Sequence, residues 1–216
     1  MIKIRISNVE KYWDLGKGRS FNIDLTPGYT CLIGPNGTGK TTMLRQIRDI
    51  LMRERDTESG QLPYKVLHYD NQQDGGSRNF GQWMMMGQFD KIAEVTSSSE
   101  GEGIIFNLGE FATRCGQATR ECIEKHRTLI ILIDGFDSGT SIDKIYQFRE
   151  QFIKTIIDHC KESEVDVYII ATVNNFAMID PCYVGYNPDC IIARTGCHKK
   201  LKTYNGFKKF ILSRAK

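Results

Sequence analysis

The 216-residue sequence lacks several features that identify whole classes of protein. No stretch of it approaches the roughly 20 consecutive apolar residues of a membrane-spanning helix, and its N-terminus has no signal-peptide pattern. No two of its seven cysteines are spaced C-x-x-C, and their odd number argues against a disulfide framework. We therefore expect a cytoplasmic protein with reduced thiols and no insertion into a membrane.

The chain also has little net charge, and its basic residues are unevenly distributed. The formal net charge of +3 is too small to indicate a nucleic-acid partner by itself. The basic excess lies near the C-terminus, at Lys199, Lys200, Lys202, Lys208, Lys209, Arg214 and Lys216. This cluster has two interpretations. It is either a surface that contacts DNA, RNA or an acidic partner, or a helix and hairpin whose charges are simply solvated.

The most informative segment fits the pattern G-x-x-x-x-G-K-[ST] in full. It consists of Gly34, Pro35, Asn36, Gly37, Thr38, Gly39, Lys40, Thr41 and Thr42. In such a loop the glycines let successive backbone N–H groups converge on an anion. Lys40 then adds a charge for the β- and γ-phosphates, and Thr41 offers a hydroxyl to Mg²⁺. An apolar strand pattern at residues 30–33 and a helical pattern at residues 42–51 supply the context that this phosphate loop requires.

Apolar periodicity predicts an α/β fold around this loop. Residues 1–6 and 20–25 alternate between apolar and polar side chains, which predicts a small antiparallel β-layer. Residues 128–133 and 165–172 are continuous apolar runs, which are typical of central strands in a parallel sheet. We expect one domain over residues 1–216, with a mostly parallel sheet that has helices on both faces.

The second half of the chain is predicted to alternate helices with short strands. Residues 104–122 and 142–160 have apolar side chains at helical spacing. Residues 190–193 and 201–204 have the pattern of late strands, and residues 207–214 that of a closing helix.

Two polar side chains follow predicted strands and are candidates for the metal and the attacking water. Asp134 ends the apolar run at residues 128–133, so we expect its carboxylate beside the phosphate loop, where it holds Mg²⁺ through water. Gln72 follows another predicted strand, and its amide oxygen could reach Mg²⁺ or the attacking water there.

Two further segments are candidates for contacts with the nucleotide. Ser99 and Gly101 precede a predicted helix, which makes them either an ordinary N-cap or a second anion site. Trp13 and Tyr12 lie in the loop between the first two strands. One of these rings either stacks on adenine or packs on the β-layer.

The order of these motifs resembles that of ABC-type ATPase domains, which are P-loop NTPases, over essentially the whole chain. The pieces are the phosphate loop, the polar segment at Gln72, a serine–glycine signature, the strand that ends at Asp134, and a D-loop after it. The resemblance implies that two subunits sandwich two ATP molecules in an ATP-dependent homodimer. Ser99 and Gly101 would then bind the γ-phosphate of the partner's ATP, within a helical signature subdomain at about residues 75–125.

The signature suggests a branch of this family. The sequence S-E-G-E at residues 99–102 is similar to the S-G-G-E form of chromosome-maintenance and recombinational-repair ATPases. Transporter domains usually carry S-G-G-Q and a following basic helix, which is absent from this sequence. The D-loop at residues 137–143 resembles that of small soluble ATPases of phage and bacteria. The resemblance therefore implies a role in nucleic-acid maintenance, phage biology or defence.

Three positions depart from the family's pattern. The glutamate that usually follows the strand aspartate is Gly135 here, Asn174 is the expected equivalent of the switch histidine, and Glu100 replaces the first signature glycine. We expect ATP binding to be retained and hydrolysis to be slow, because losing a group that orients water costs on the order of 10²–10⁴-fold in rate. Asp137 or Gln72 is expected to serve the attacking water instead.

Two alternative functions stay open at this point. One is the nucleotide-binding subunit of a transporter, against which the signature and Gly135 count. The other is an ATP sensor that does not hydrolyse its nucleotide and regulates a partner effector protein. Both rest on analogy at the level of the fold.

Overall fold

The computed structural model describes residues 1–6, 20–53, 63–71, 100–182 and 188–213, except for the side chains of residues 100–108. Its strands are β1 (Ile2–Ile6), β2 (Phe21–Leu25), β3 (Gly28–Ile33), β4 (Tyr64–Asp70), β5 (Thr128–Asp134), β6 (Val167–Val173) and β7 (Asp189–Ile192). Its α-helices are α1 (Lys40–Arg53), α2 (Glu100–Glu124), α3 (Ile142–Phe148), α4 (Thr155–Glu162) and α5 (Tyr204–Ser213). A π-helical segment at Arg149–Lys154 joins α3 to α4, and a 3₁₀ turn lies at Phe176–Met178.

Five strands form a parallel sheet in the order β4-β5-β6-β3-β7. Strands β1 and β2 form a separate antiparallel pair, in which Ile4 lies opposite Ile23. Strand β6 is buried along its whole length, and β5 along all but its first residue. Strands covered on both faces need apolar side chains on both, which explains the continuous apolar runs. The predicted α/β fold with a mostly parallel sheet and a small antiparallel layer is confirmed.

Alternate residues of the central strands face two hydrophobic cores. On one face, Ile130 and Ile170 pack with α1 and the β1–β2 layer. On the other face, Ile131 and Ile169 pack with α2, the α3–α4 segment and α5. The period of two along each strand therefore places helices on both faces of the sheet.

The pairing register brings the ends of four strands together. Asp70 at the end of β4 lies opposite Asp134 at the end of β5. Thr172 in β6 lies opposite Leu32 in β3, just before the phosphate loop. Ligands of open α/β sheets bind outside the carboxyl ends of the strands, so a ligand site is expected at this edge.

The predicted strand at residues 201–204 is wrong, because α5 begins at Tyr204. Thr203 is the N-cap of this helix. Its side-chain oxygen accepts a hydrogen bond from the N–H of Gly206 at 3.1 Å, and its carbonyl accepts one from Phe207 at 3.0 Å. An alternation of only four residues does not distinguish a strand from the capped start of a helix.

All seven cysteines are free, and five of them are buried. Burial raises the pKa of the Cys115 and Cys190 thiols to about 12, which keeps them protonated and unreactive. Among the residues that the structure describes, no group of three or more His, Cys, Asp or Glu side chains could hold a metal ion. No helix in those same segments is long and apolar enough to cross a membrane.

Candidate functional site

The phosphate loop connects the end of β3 to the start of α1 and has the conformation that its glycines allow. Gly37 and Gly39 have φ angles of +76° and +84°, in the left-handed region that favours glycine. The backbone N–H and the side-chain hydroxyl of Thr38 both donate hydrogen bonds to the carbonyl of Pro35, at 3.3 and 2.7 Å. These contacts close the loop into a compact turn at the N-terminus of α1, where the helix dipole favours an anion.

Lys40 lies within this turn and is only 8% exposed. Its Nζ donates to the carbonyls of Gly34 and Pro35 at 2.7 and 3.1 Å. Burial lowers the pKa of this ammonium group, and the nearby carboxylates of Asp137 and Asp134 oppose that effect. The lysine charge is therefore held inside the loop, close to two carboxylates.

Asp134 lies beside the first turn of α1 and is 5% exposed. Its Oδ1 accepts hydrogen bonds from the hydroxyls of Thr41 at 3.0 Å and Thr172 at 2.7 Å. The hydroxyl of Thr172 in turn accepts a bond from the N–H of Gly135 at 2.8 Å. A carboxylate and a hydroxyl at this distance are the hard oxygen donors that Mg²⁺ prefers, and Mg²⁺ usually completes its shell with water and phosphates. Thr41 and Asp134 therefore fit the metal that the sequence predicts.

A cavity of about 500 Å³ opens between the phosphate loop and the strand ends. It is lined by Asn36, Gly37, Gly39, Lys40, Thr41, Thr42, Asp70, Asn71, Asp134, Gly135, Ser138, Thr172 and Asn174. The wall opposite the loop is polar and contains two carboxylates, of which Asp70 forms an ion pair with Arg45 at 2.9 Å. The other is Asp134, whose Oδ1 accepts the hydrogen bonds from Thr41 and Thr172.

Gly135 occupies the position where the resemblance leads one to expect glutamate. Its φ angle is +69°, in the left-handed region that L side chains adopt only with strain. A Cβ atom added there would lie 3.5 Å from the Cβ of Asn71, which is an ordinary contact. The backbone conformation, and not a lack of space, is therefore what disfavours a side chain at this position.

Asp137 lies two residues further along and is 6% exposed. Its Oδ2 accepts hydrogen bonds from the backbone N–H groups of Asn174 and Asn175, both at 2.6 Å, and its Oδ1 accepts one from Nδ2 of Asn174 at 3.1 Å. Burial raises the pKa of this carboxyl group, while the N–H donors of Asn174 and Asn175 lower it. The carboxylate thus joins the D-loop to the loop that follows β6.

The structure brings together most of the predicted site residues that it describes. One cavity is lined by Asp134, Asn174 and six residues of the phosphate loop, whereas Gly34, Pro35 and Thr38 of that loop lie outside its lining. Asp137 contacts Asn174 and is not part of the lining. Gly101 lies in the first turn of α2. The predictions for Gln72, Ser99, and Trp13 or Tyr12 lie outside the described residues. The catalytic roles assigned to these side chains stay predictions.

Sequence reasoning missed Asn71, Ser138 and Thr172 as members of the site. Nδ2 of Asn71 donates to the carbonyl of Ser138 at 3.4 Å, and Thr172 bonds Asp134. Thr172 and Asn71 were within reach of the same kind of argument that selected Asp134, because each is a polar residue at the end of a predicted strand. Ser138 has no comparable signal, since a serine in a glycine-rich turn is ordinary.

A family model described as AAA domain matches residues 3–178. The match covers every residue that lines the cavity, together with the sheet edge that carries it. The P-loop NTPase fold predicted from the phosphate loop is therefore confirmed. The chain has no match among curated proteins.

Proposed function

The chain belongs to the AAA domain family of P-loop ATPases, and we propose that it is an ABC-type ATPase in which two copies close around Mg²⁺ and ATP and hydrolyse the nucleotide slowly. The single observation that carries this proposal is the contact between Thr41 and Asp134 at 3.0 Å beside the phosphate loop. It unites the two motifs that a Mg²⁺-dependent nucleotide site needs, which are 93 residues apart in the sequence.

Each part of the cavity has a role in this proposal. The backbone N–H groups of the phosphate loop and the ammonium of Lys40 bind the β- and γ-phosphates. Thr41 and Asp134 would hold Mg²⁺, which would supply positive charge to offset the charge that develops on the transferred phosphoryl group. Binding at the N-terminus of α1 also orients the γ-phosphate towards the polar wall that contains Asn71 and Asn174.

Slow hydrolysis follows from the chemistry of that wall. Within the described lining, Asp70 is paired with Arg45 and Asp134 is bonded to two threonine hydroxyls. Neither carboxylate is arranged as a dedicated base for water, and position 135 has no side chain. We expect turnover below that of ATPases with the usual glutamate by roughly the 10²–10⁴-fold that a general base contributes.

The dimer is proposed because the sequence S-E-G-E at residues 99–102 resembles the signature of ABC-type ATPases. Gly101 lies in the first turn of α2, and a helix start of this kind supplies N–H groups for a phosphate. In the proposed dimer, Ser99 and Gly101 of one copy bind the γ-phosphate held by the other. ATP would then drive association, which suits a switch in nucleic-acid maintenance, phage biology or defence.

A second candidate is an ATP sensor that regulates a partner effector without hydrolysing its nucleotide. Gly135 favours this alternative specifically, because it has no side chain next to Asp134 to polarise water and its left-handed backbone disfavours one. The two candidates share the same binding site and differ only in turnover.

One experiment separates these candidates. Light scattering with and without Mg²⁺ and ATP is performed on the wild type and on Ser99→Arg, with phosphate release followed in the same samples. We expect ATP-dependent dimers that Ser99→Arg abolishes, and slow phosphate release. Dimers without any release would favour the sensor, whereas monomers under every condition would contradict the proposed dimer.

A further inference from the structure

The carboxylate of Asp137 is surrounded by donors on the loop after β6. Two backbone N–H groups, those of Asn174 and Asn175, reach its Oδ2 at 2.6 Å, and Nδ2 of Asn174 reaches its Oδ1 at 3.1 Å. The residue is 6% exposed and does not line the cavity. A base for the attacking water must lie within hydrogen-bond reach of it, and Asp137 lies behind Asn174 instead.

The hydrogen bonds determine which way the Asn174 amide points. An ionised carboxylate only accepts hydrogen bonds, so the NH₂ end of the amide must face Asp137. The same Nδ2 donates to the hydroxyl oxygen of Ser138 at 3.0 Å. Both N–H bonds of the amide are therefore used on the D-loop side, and among the described residues no group donates to its Oδ1.

We propose that Asp137 is a positioning residue that orients Asn174, so that Oδ1 of Asn174 accepts a hydrogen bond from the attacking water. This inference rests on the proposed ATPase function. In the reaction, the water oxygen forms a bond to the γ-phosphorus as the bond from phosphorus to the β–γ bridging oxygen breaks. The amide takes no proton, and the proton of the water leaves with the phosphate product. An amide that orients water in this way performs the task of the glutamine in the small GTPases.

The surrounding contacts keep the Asn174 loop in place. The side-chain oxygen of Asn175 accepts a bond from the N–H of Ala177 at 3.0 Å, which caps the 3₁₀ turn. Arg149, in the π-helical segment, donates to the carbonyls of Ala177 and Asp180 at 2.6 and 2.9 Å. Arg149 and Asn175 already fix the far end of this loop. We therefore expect the hydrogen bonds of Asp137 to determine mainly the position of Asn174.

The test is a double-mutant cycle on kcat at saturating Mg²⁺ and ATP, with Asp137→Asn, Asn174→Ala and the double variant. If Asp137 acts only through Asn174, each single variant loses about 10²-fold, the low end for a water-orienting group. The double variant then loses no more than the worse single variant. Asp166→Asn is the matched control, because it makes the same chemical change at an exposed residue before β6.

Two measurements that do not depend on turnover complete the test. We expect hydrogen exchange at the amides of Asn174 and Asn175 to become at least about tenfold faster in Asp137→Asn and to stay slow in Asn174→Ala. The affinity for a nonhydrolysable ATP analogue should stay within about twofold of wild type in both variants, since neither side chain holds the phosphates.

The possible outcomes are distinct. A large loss in Asp137→Asn with near-normal turnover in Asn174→Ala, or additive losses in the double variant, would overturn the positioning role in favour of Asp137 as a base. A wild type that binds ATP without turning it over would also overturn it, while the ATP-driven switch would stand. A wild type that binds no ATP would instead overturn the proposed function.

Discussion

At the scale of single residues, Gly135 shows how backbone conformation constrains chemistry. It follows the strand that delivers Asp134, and its N–H donates to Thr172, whose hydroxyl donates to Asp134. This chain of bonds depends on a φ angle of +69°. A glutamate introduced at position 135 would have to adopt the same strained conformation or break the bond to Thr172.

We expect Gly135→Ala to lower the free energy of unfolding by about 1–2 kcal/mol, the cost of a left-handed conformation for an L side chain. Gly116→Ala is the matched control. Gly116 lies inside α2, where an added Cβ meets no atom within 4 Å, so alanine should raise the free energy of unfolding by about 0.5–1 kcal/mol. Urea unfolding measures both changes. Equal effects of the two variants would contradict the strain argument.

At the scale of elements, the π-helical segment between α3 and α4 anchors the loop after β6. It carries Arg149, which is 2% exposed and donates to two carbonyls of that loop. Tyr146 in α3 adds a bond from its hydroxyl to Oδ2 of Asp180 at 2.8 Å. Because the D-loop leads directly into α3, these contacts connect the D-loop to the segment that contains Asn174.

We expect Arg149→Met to lower the free energy of unfolding by about 2–4 kcal/mol, because the buried carbonyl of Ala177 and the partly buried carbonyl of Asp180 lose charge-assisted hydrogen bonds. The matched control is Arg120→Met. Arg120 is exposed on α2 and, among the described residues, donates only to Gly116 of its own helix, so the change should stay within about 0.5 kcal/mol. Denaturant unfolding of both variants is the measurement, and a similar loss in each would argue against the anchoring role.

At the scale of the whole molecule, charge is divided between two parts of the chain. All 26 acidic residues lie at or before residue 189, whereas eight of the 29 basic residues follow it. Lys199 places its ammonium 5.6 Å from the ring centre of Phe210, so the segment before α5 lies against that helix. Lys208 and Lys209 are exposed on α5 itself. Lys199, Lys208 and Lys209 therefore share one region of the surface.

We expect this region to bind duplex DNA weakly and with a steep dependence on salt, since neutralised phosphates release counterions. Replacing Lys208 and Lys209 with glutamine should reduce the slope of log affinity against log salt by about 2. Lys144→Gln combined with Lys161→Gln removes the same charge from exposed positions elsewhere. Gel shifts over a series of salt concentrations are the measurement. Absence of binding at low salt, or an equal effect of the control pair, would show that the basic region is only solvated.

Much of the site was predictable because its motifs are local. The phosphate loop is closed by bonds between residues three to six positions apart, such as those from Thr38 and Lys40. Short-range contacts of this kind follow from residue types and spacing alone. The apolar runs likewise predicted the central strands, because a strand buried on both faces consists mainly of apolar side chains. Asp134 was selected as a candidate site residue because it is the polar residue that ends such a run.

The partners of these motifs depended on the tertiary fold. Asp137 meets Asn174 across 37 residues and Thr172 meets Asp134 across 38, distances over which spacing carries no information. Strand order and register decide these pairs, and they result from the packing of two cores on opposite faces of one sheet. The sequence alone therefore predicted a nucleotide site and selected Asp134, which the structure places beside the phosphate loop. The fold decided that Asp137 supports Asn174 from behind, because only packing brings the D-loop against the loop after β6.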